Sequence, residues 1–312
     1  MATRREMKQT KKKRKGWKIV LIVLALLLIG GGAYAFSIYN NVKQTVDKKL
    51  HAPISSIDTA LTEKKVKAKE PLNILLLGVD ERSYDKGRSD TMIVMTLDPK
   101  QDRMQMVSIP RDTRTTIVGK GFEDKINHSY AFGGSEMAVD TVENFLDIEL
   151  DYYVRMNMEG LEQLVDAVGG VTVNNGRAFD QGSYHFEKGQ QELNGREALA
   201  YVRMRKQDPQ GDAGRNERQR QVIQGILEKG ASFNGVGKIN DILDVLGNNM
   251  STNMKFEDMR KLATDYRGTR KSMETYQMTG SGQFIGDIWY LIVPDSEVQK
   301  TQNMIKEYSS AE

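Results

Sequence analysis

NILLLGVDERSYDKGRSDTMIVMTLDPKQDRMQMVSIPR (residues 73–111) holds three short apolar runs separated by polar links. NILLLGVD (73–80) reads as a strand ending at Gly78. TMIVMTLD (91–98) reads as a second, closed by the turn residues Asp98-Pro99-Lys100, and MQMVSI (104–109) as a third, ended by Pro110. Parallel neighbours need a crossover of about a dozen residues or more, and the links at 81–90 and 99–103 are shorter than that. The spacing therefore predicts an antiparallel meander. In a meander, Asp80 beyond the first strand, Arg88 and Asp90 before the second, and Arg111 beyond the third all fall on one edge of the sheet. Two carboxylates held close suit Mg²⁺ when phosphate oxygens of a substrate complete the octahedron. Asp and Arg are also common loop residues, and Arg88-Ser89-Asp90 reads equally well as a surface turn.

Outward from this stretch, strand-like and helix-like segments alternate. SEMAVDTVENFL (135–146) has helical spacing, YYVRM (152–156) reads as a strand, and EGLEQLVDAVGG (159–170) as a helix stopped by paired glycines before the strand VTV. Asn194 and Glu197 are spaced as a capping pair. RNERQRQVIQGILEKG (215–230) and FEDMRKLATDY (256–266) are amphipathic helices. METYQM (273–278) and IWYLIV (288–293) read as strands before a last helix at 296–308. The pattern predicts one α/β domain over 71–312, a mixed central β-sheet flanked by helices.

Upstream, residues 37–70 are polar and lysine-rich and read as a stalk. Residues 19–36, IVLIVLALLLIGGGAYAF, carry no charge and come close to the length of about 20 residues a spanning helix needs. Residues 1–18 hold nine Lys and Arg against one acid, the balance of a tail kept in the cytoplasm. Ala33-Tyr34-Ala35 resembles a signal-peptidase site, but the apolar stretch is longer than a cleaved signal's core of about 7–15 residues. The reading is a cytoplasmic tail (1–18), one transmembrane signal-anchor (19–36), an extracellular stalk (37–70) and an extracellular domain, held at the cell membrane. Without the tail, 36 basic residues face 41 acidic ones, which argues against a nucleic-acid-binding surface. The chain has no cysteine, which excludes disulfides and thiolate zinc sites.

YVRMRKQDPQGDAGRNERQRQ (201–221) concentrates arginine. If 201–205 is extended, Tyr201, Arg203 and Arg205 share one face and Val202 and Met204 the other. In the following helix Val222, Ile223, Ile226 and Leu227 form the buried stripe, which continues back through Gln219 and Arg218 to Arg215; Arg220, Gln221 and Glu228 read as surface. Arginine is rarely buried without an anion. Guanidinium forks beside a helix N-terminus suit phosphate oxygens; a network of internal salt bridges is the other reading. His128, in KINHSYAFGG (125–134), reads as a structural hydrogen-bonder, and the sixteen methionines as ordinary core. Phosphate-loop, nucleophile-elbow and H-E-x-x-H motifs are absent from the sequence.

GVDER…KGRSD, VSIPRDT, KINHSYAFGG, ALAYVRMRK and GRNERQRQ, in this order from residue 78 to 221, resemble the LytR-CpsA-Psr family of Gram-positive bacteria. The resemblance implies a sheet with helices on both sides, a hydrophobic tunnel for a polyprenyl chain, and phosphotransfer of an anionic wall polymer, wall teichoic acid, from an undecaprenyl-pyrophosphate carrier to the muramic-acid 6-hydroxyl of peptidoglycan. Carried over by motif, Asp80 and Asp90 would hold Mg²⁺ or Mn²⁺. Arg88, Arg111, Lys125, Arg203, Arg205, Arg215 and Gln219 would bind the pyrophosphate. Arg111, Asp90 and Arg215 would be catalytic, with Asp90 or Arg111 taking the hydroxyl proton. A membrane-anchored regulator of wall metabolism and a hydrolase of the lipid pyrophosphate are the competing readings.

Overall fold

The computed structural model describes residues 36–81, 87–231 and 246–309. Two compact units are present. Of the first, which ends at Gln44, residues 36–44 are helical. Among the described residues no helix is long and apolar enough to cross a membrane; residues 19–35 lie outside them.

The second unit, Thr45–Glu312, takes in residues 45–70, which the sequence suggested as stalk. Helix α1 (Thr59–Ala68) begins at Asp58, whose carboxylate accepts from the backbone N–H groups of Ala60 and Leu61. It leads into β1 (Leu72–Val79), β2 (Ser89–Asp98) and β3 (Arg103–Ser108), then β4 (Arg114–Ile117) and β5 (Phe122–Lys125). Next come α2 (His128–Leu146), β6 (Tyr152–Asn157), α3 (Met158–Ala167) and the short strands β7 (Val171–Asn175), β8 (Phe179–Gln181), β9 (Tyr184–Phe186) and β10 (Gly189–Leu193). Helices α4 (Gly195–Arg203) and α5 (Asp212–Ala231) follow, then β11 (Met250–Thr252), α6 (Phe256–Asp265), β12 (Ser272–Gln277), β13 (Ser281–Ile285), β14 (Ile288–Ile292) and α7 (Asp295–Ser309).

The central sheet has six strands in the order β11-β6-β1-β2-β3-β12. The expected meander is present: β1–β2 and β2–β3 are antiparallel. β6 and β12 add in parallel to β1 and β3, so the sheet is mixed. Side chains alternate with period two. Leu75, Leu77 and Val94 pack with Val139, Val142 and Ile305 of α2 and α7. Ile74, Ile93 and Met95 face the other way, toward Ile223 and Leu227 of α5 and Leu262 of α6. A third cluster gathers α4 and β7–β10 around Phe179, Phe186 and Tyr201. The short, largely polar elements β4, β5, β8, β9, β10 and β13 carry little periodicity in sequence and become strands through pairing.

Candidate functional site

Four meander residues reach the same sheet edge, as their spacing required. Gly78 pairs with Thr91 and Val79 with Ser89 across a local irregularity, and the Asp80 N–H donates to the Arg88 carbonyl at 3.1 Å. Beside them Ile109 bonds back to Met92, which brings Arg111 next to Asp90. Arg111 Nη1 donates to Asp90 Oδ1 at 2.6 Å. Gly78 is required at this crossing, because a Cβ there would lie 2.8 Å from that of Thr91.

The arginine helix meets the same edge. Arg215 and Gln219 are buried, 6 % and 7 % exposed, and both line a cavity of about 480 Å³ with Asp80, Asp90 and Arg203. Deeper walls are apolar: Leu76, Met95 and Val154 of the sheet face Val222, Ile223, Ile226 and Leu227 of α5. Arg215 Nη2 pairs with Asp212 Oδ1 at 2.7 Å and reaches the Asp90 carbonyl at 3.4 Å. Its Nε and the Gln219 Oε1 are buried with no hydrogen-bond partner. Burial, with Arg111 and Arg205 nearby, holds the Arg215 pKa below the ordinary arginine value despite Asp212 and Asp90. Burial also lowers that of Arg111, but Asp90, Asp212 and Asp112 outweigh it and the net shift is upward.

Lys125 joins through Asp112: its Nζ lies 2.9 Å from Asp112 Oδ1, and Arg111 Nε lies 3.7 Å from the other oxygen. Arg88, Arg203 and Arg205 are exposed; Arg203 lines the mouth, and Arg205 is close enough to act on Arg215. Asp112 and Asp212 were missed from sequence, although each sits one to three residues from an arginine already singled out. Arg155 was missed too. From β6 its Nε donates to the Tyr130 hydroxyl at 3.1 Å, and its guanidinium pairs with Glu81, next to Asp80.

Two sequence readings are corrected. Residues 201–205 are not one extended run: α4 continues to Arg203 and the chain turns to β geometry at Met204, because the Asn194–Glu197 capping box starts a helix that the buried Tyr201 and Val202 sustain. Arg220 is not surface. It is 4 % exposed and donates to Ser108 Oγ at 2.6 Å and Gln277 Oε1 at 3.1 Å, tying α5 to β3 and β12. Arg218 is buried for a structural reason: it donates to the Tyr201 and Met204 carbonyls at 3.1 and 2.6 Å and to Asp208 at 2.6 Å. His128 is hydrogen-bonded, with Nδ1 2.7 Å from Asp124.

The donor set fits a hard divalent cation shared with a substrate. Asp80 and Asp90 face one mouth, and Asp90 commits only Oδ1 to Arg111. Among the described residues no group of three or more His, Cys, Asp or Glu could hold a metal alone. Two carboxylates completed by phosphate oxygens and water are the usual Mg²⁺ arrangement.

The fold and site define an α/β domain with an apolar cavity under the sheet and a mouth of arginines and carboxylates. The chain matches the LytR_cpsA_psr family model over residues 34–307, and it belongs to that family. It is 47% identical over 297 residues to the polyisoprenyl-teichoic acid–peptidoglycan teichoic acid transferase TagU of Bacillus subtilis (strain 168), covering 95% of this chain and 97% of the relative. The Bacillus anthracis protein of the same name is 49% identical over 298 residues, 95% of this chain and 97% of its own. Among solved structures, B. subtilis TagU superposes with a TM-score of 0.65 at 46% identity, over 78% of this chain and 98% of that one. TagT bound to LIIa-WTA superposes with a TM-score of 0.71 at 30% identity, over 84% and 100%.

Proposed function

We propose that this chain transfers teichoic acid from a polyisoprenyl-pyrophosphate carrier to peptidoglycan. One observation carries the reading: a 480 Å³ apolar cavity ends at a buried arginine and a buried glutamine whose inner polar atoms lack protein partners. The isoprenoid units nearest the pyrophosphate would lie against the apolar walls, with the pyrophosphate at the mouth.

The acceptor is the 6-hydroxyl of muramic acid. Its oxygen bonds to the phosphorus bearing the polymer, the bond from that phosphorus to undecaprenyl phosphate breaks, and the hydroxyl proton leaves. Arg111 and Arg215 stand where charge gathers on the non-bridging oxygens, the main service a protein gives to phosphoryl transfer. Gln219, Arg203 and Arg205 hold the pyrophosphate from the α4–α5 side, and Arg88 and Lys125 from the meander side. Asp90, relieved of Arg111 by the incoming anion, is the candidate to take the proton. Asp80 and Asp90 would hold Mg²⁺ or Mn²⁺, which neutralises phosphate charge when bound. Residues 19–36 would anchor the chain in the cell membrane as a single pass, with residues 1–18 cytoplasmic and the domain outside.

The test is reconstitution: the full chain, a lipid-pyrophosphate-linked teichoic acid precursor, Mg²⁺ and peptidoglycan oligomers, with coupling followed by mass spectrometry. Coupling that falls about 10²–10³-fold in Arg111→Ala, with an unchanged Tm, supports the transferase. Free polymer phosphate without coupling identifies a hydrolase instead. Precursor binding without turnover identifies a lipid-pyrophosphate sensor.

A further inference from the structure

In the hairpin β13–β14 all of β13 and the first two residues of β14 are exposed, and two of its rings face solvent: Phe284 is 68% and Trp289 36% exposed. The two are cross-strand partners, so their side chains project from one face. The Trp289 indole extends over Gly282, where a Cβ would approach its ring to 2.8 Å. The other face is anchored. Tyr290 is buried against Asp124, its hydroxyl 3.3 Å from Oδ1, with the Arg114 and Lys125 cations each 5.9 Å from its ring.

The hairpin is also tied to the reaction edge. Leu291 N–H donates to the Asp112 carbonyl at 2.8 Å, and Leu291 bridges Thr113 in parallel. Parallel pairing sends the residues before Leu291, Tyr290 and then Trp289, toward the Arg111 end of that segment. None of the hairpin lines the apolar cavity. It therefore borders the segment that follows Arg111 from outside the apolar cavity, a side open to a second substrate.

Charge chooses among occupants. Between residues 272 and 299 there is no Lys or Arg, and the hairpin's own turn carries Asp287. The Arg114 and Lys125 cations lie under Tyr290 on the anchored face, so the ring face itself carries none of the basic residues that recruit an anionic leaflet or a polyphosphate-bearing donor. Paired flat rings without cations suit the C–H faces of uncharged sugar rings.

We propose that Phe284 and Trp289 form a docking platform for the hexosamine backbone of the acceptor glycan. This rests on the transferase reading for its place in the reaction but has its own readout. Trp17 is the other tryptophan, so a Trp17→Phe full chain makes Trp289 a single reporter. Titration with N-acetylhexosamine oligomers is expected to shift and saturate its emission. In the coupling assay Phe284→Ala/Trp289→Ala is expected to raise the acceptor KM about tenfold, worth about 1.4 kcal/mol, with kcat and donor KM unchanged. Phe284→Ala alone keeps the comparison valid should the double variant fail to fold. A silent titration with an unchanged acceptor KM overturns the platform, even if transfer itself is robust. A rise in donor KM instead reassigns the rings to the donor, and loss of binding to phosphatidylglycerol vesicles with unchanged acceptor KM reassigns them to the membrane. A saturating emission shift in a protein that transfers nothing leaves the platform standing and removes the reaction.

Discussion

Arg215 and Arg218 are three residues apart on one helix, equally buried, and opposite in purpose. Arg218 fills every near partner with protein: two carbonyls and the Asp208 carboxylate. Arg215 keeps Nε unpartnered, and its surroundings, burial first and then Arg111 and Arg205, disfavour its charge. Replacing each by methionine separates the roles. Arg218→Met strands Asp208 and two buried carbonyls and is expected to cost about 3 kcal/mol, several degrees in Tm. Arg215→Met takes the 2.7 Å partner from Asp212 but leaves it Arg111 Nε at 3.9 Å and strands no buried carbonyl pair, so the Tm loss should be clearly smaller than in Arg218→Met while coupling falls about 10²–10³-fold. Differential scanning calorimetry beside the coupling assay checks both, and a large Tm loss in Arg215→Met would show that this arginine is structural. Sequence periodicity placed Arg215 and Gln219 on the buried stripe correctly. It could not separate Arg218 or Arg220, because their partners, Tyr201, Met204, Ser108 and Gln277, arrive from other elements.

Helix α1 illustrates the same limit for an element. Its lysines and mixed polarity read as stalk, yet Val66 is buried beneath it and Lys65 Nζ lies 2.9 Å from Asp151 Oδ1 at the entry to β6. Asp151 also accepts from the Asn73 N–H at 2.8 Å, so this carboxylate joins α1 to two central strands. The meander, by contrast, was legible, since strand length, turn residues and short links all agreed. Burial raises the Asp151 pKa above the ordinary carboxylate value even with Lys65 beside it. An acid with a raised folded pKa loses stability as pH rises through the range between its unfolded and folded values. In Lys65→Met the cation is gone and the pKa climbs further, so the loss should grow from about pH 4 upward. The variant should cost about 3 kcal/mol at pH 7.5 and much less at pH 4.5, read as Tm against wild type at each pH. An equal loss at both would mean that the lysine contributes packing alone.

Across the whole domain the two faces of the sheet are finished differently. Leu75, Leu77 and Val94 are fully packed beneath α2 and α7, whereas Leu76 and Val154 on the other face stay half-buried under α5. Unfilled apolar volume is destabilising in proportion to its size, so the cavity has to be explained by what enters it. A polyprenyl phosphate that binds only the folded chain should stabilise it by about 2.7 kcal/mol at a hundredfold excess over Kd, roughly 5–10 °C in Tm for a domain of this size. The gain should increase with isoprenoid length until the cavity is full, since each buried CH₂ adds about 0.8 kcal/mol. Ile226 lines the cavity from α5. Ile226→Trp should fill part of the space, raise the Tm of the protein alone, and flatten the dependence on chain length while leaving inorganic pyrophosphate binding at the mouth unchanged. Thermal shifts with a series of prenyl phosphates decide it: an undiminished length dependence in Ile226→Trp would place the lipid elsewhere and leave the arginine mouth without the tail that makes the carrier its substrate.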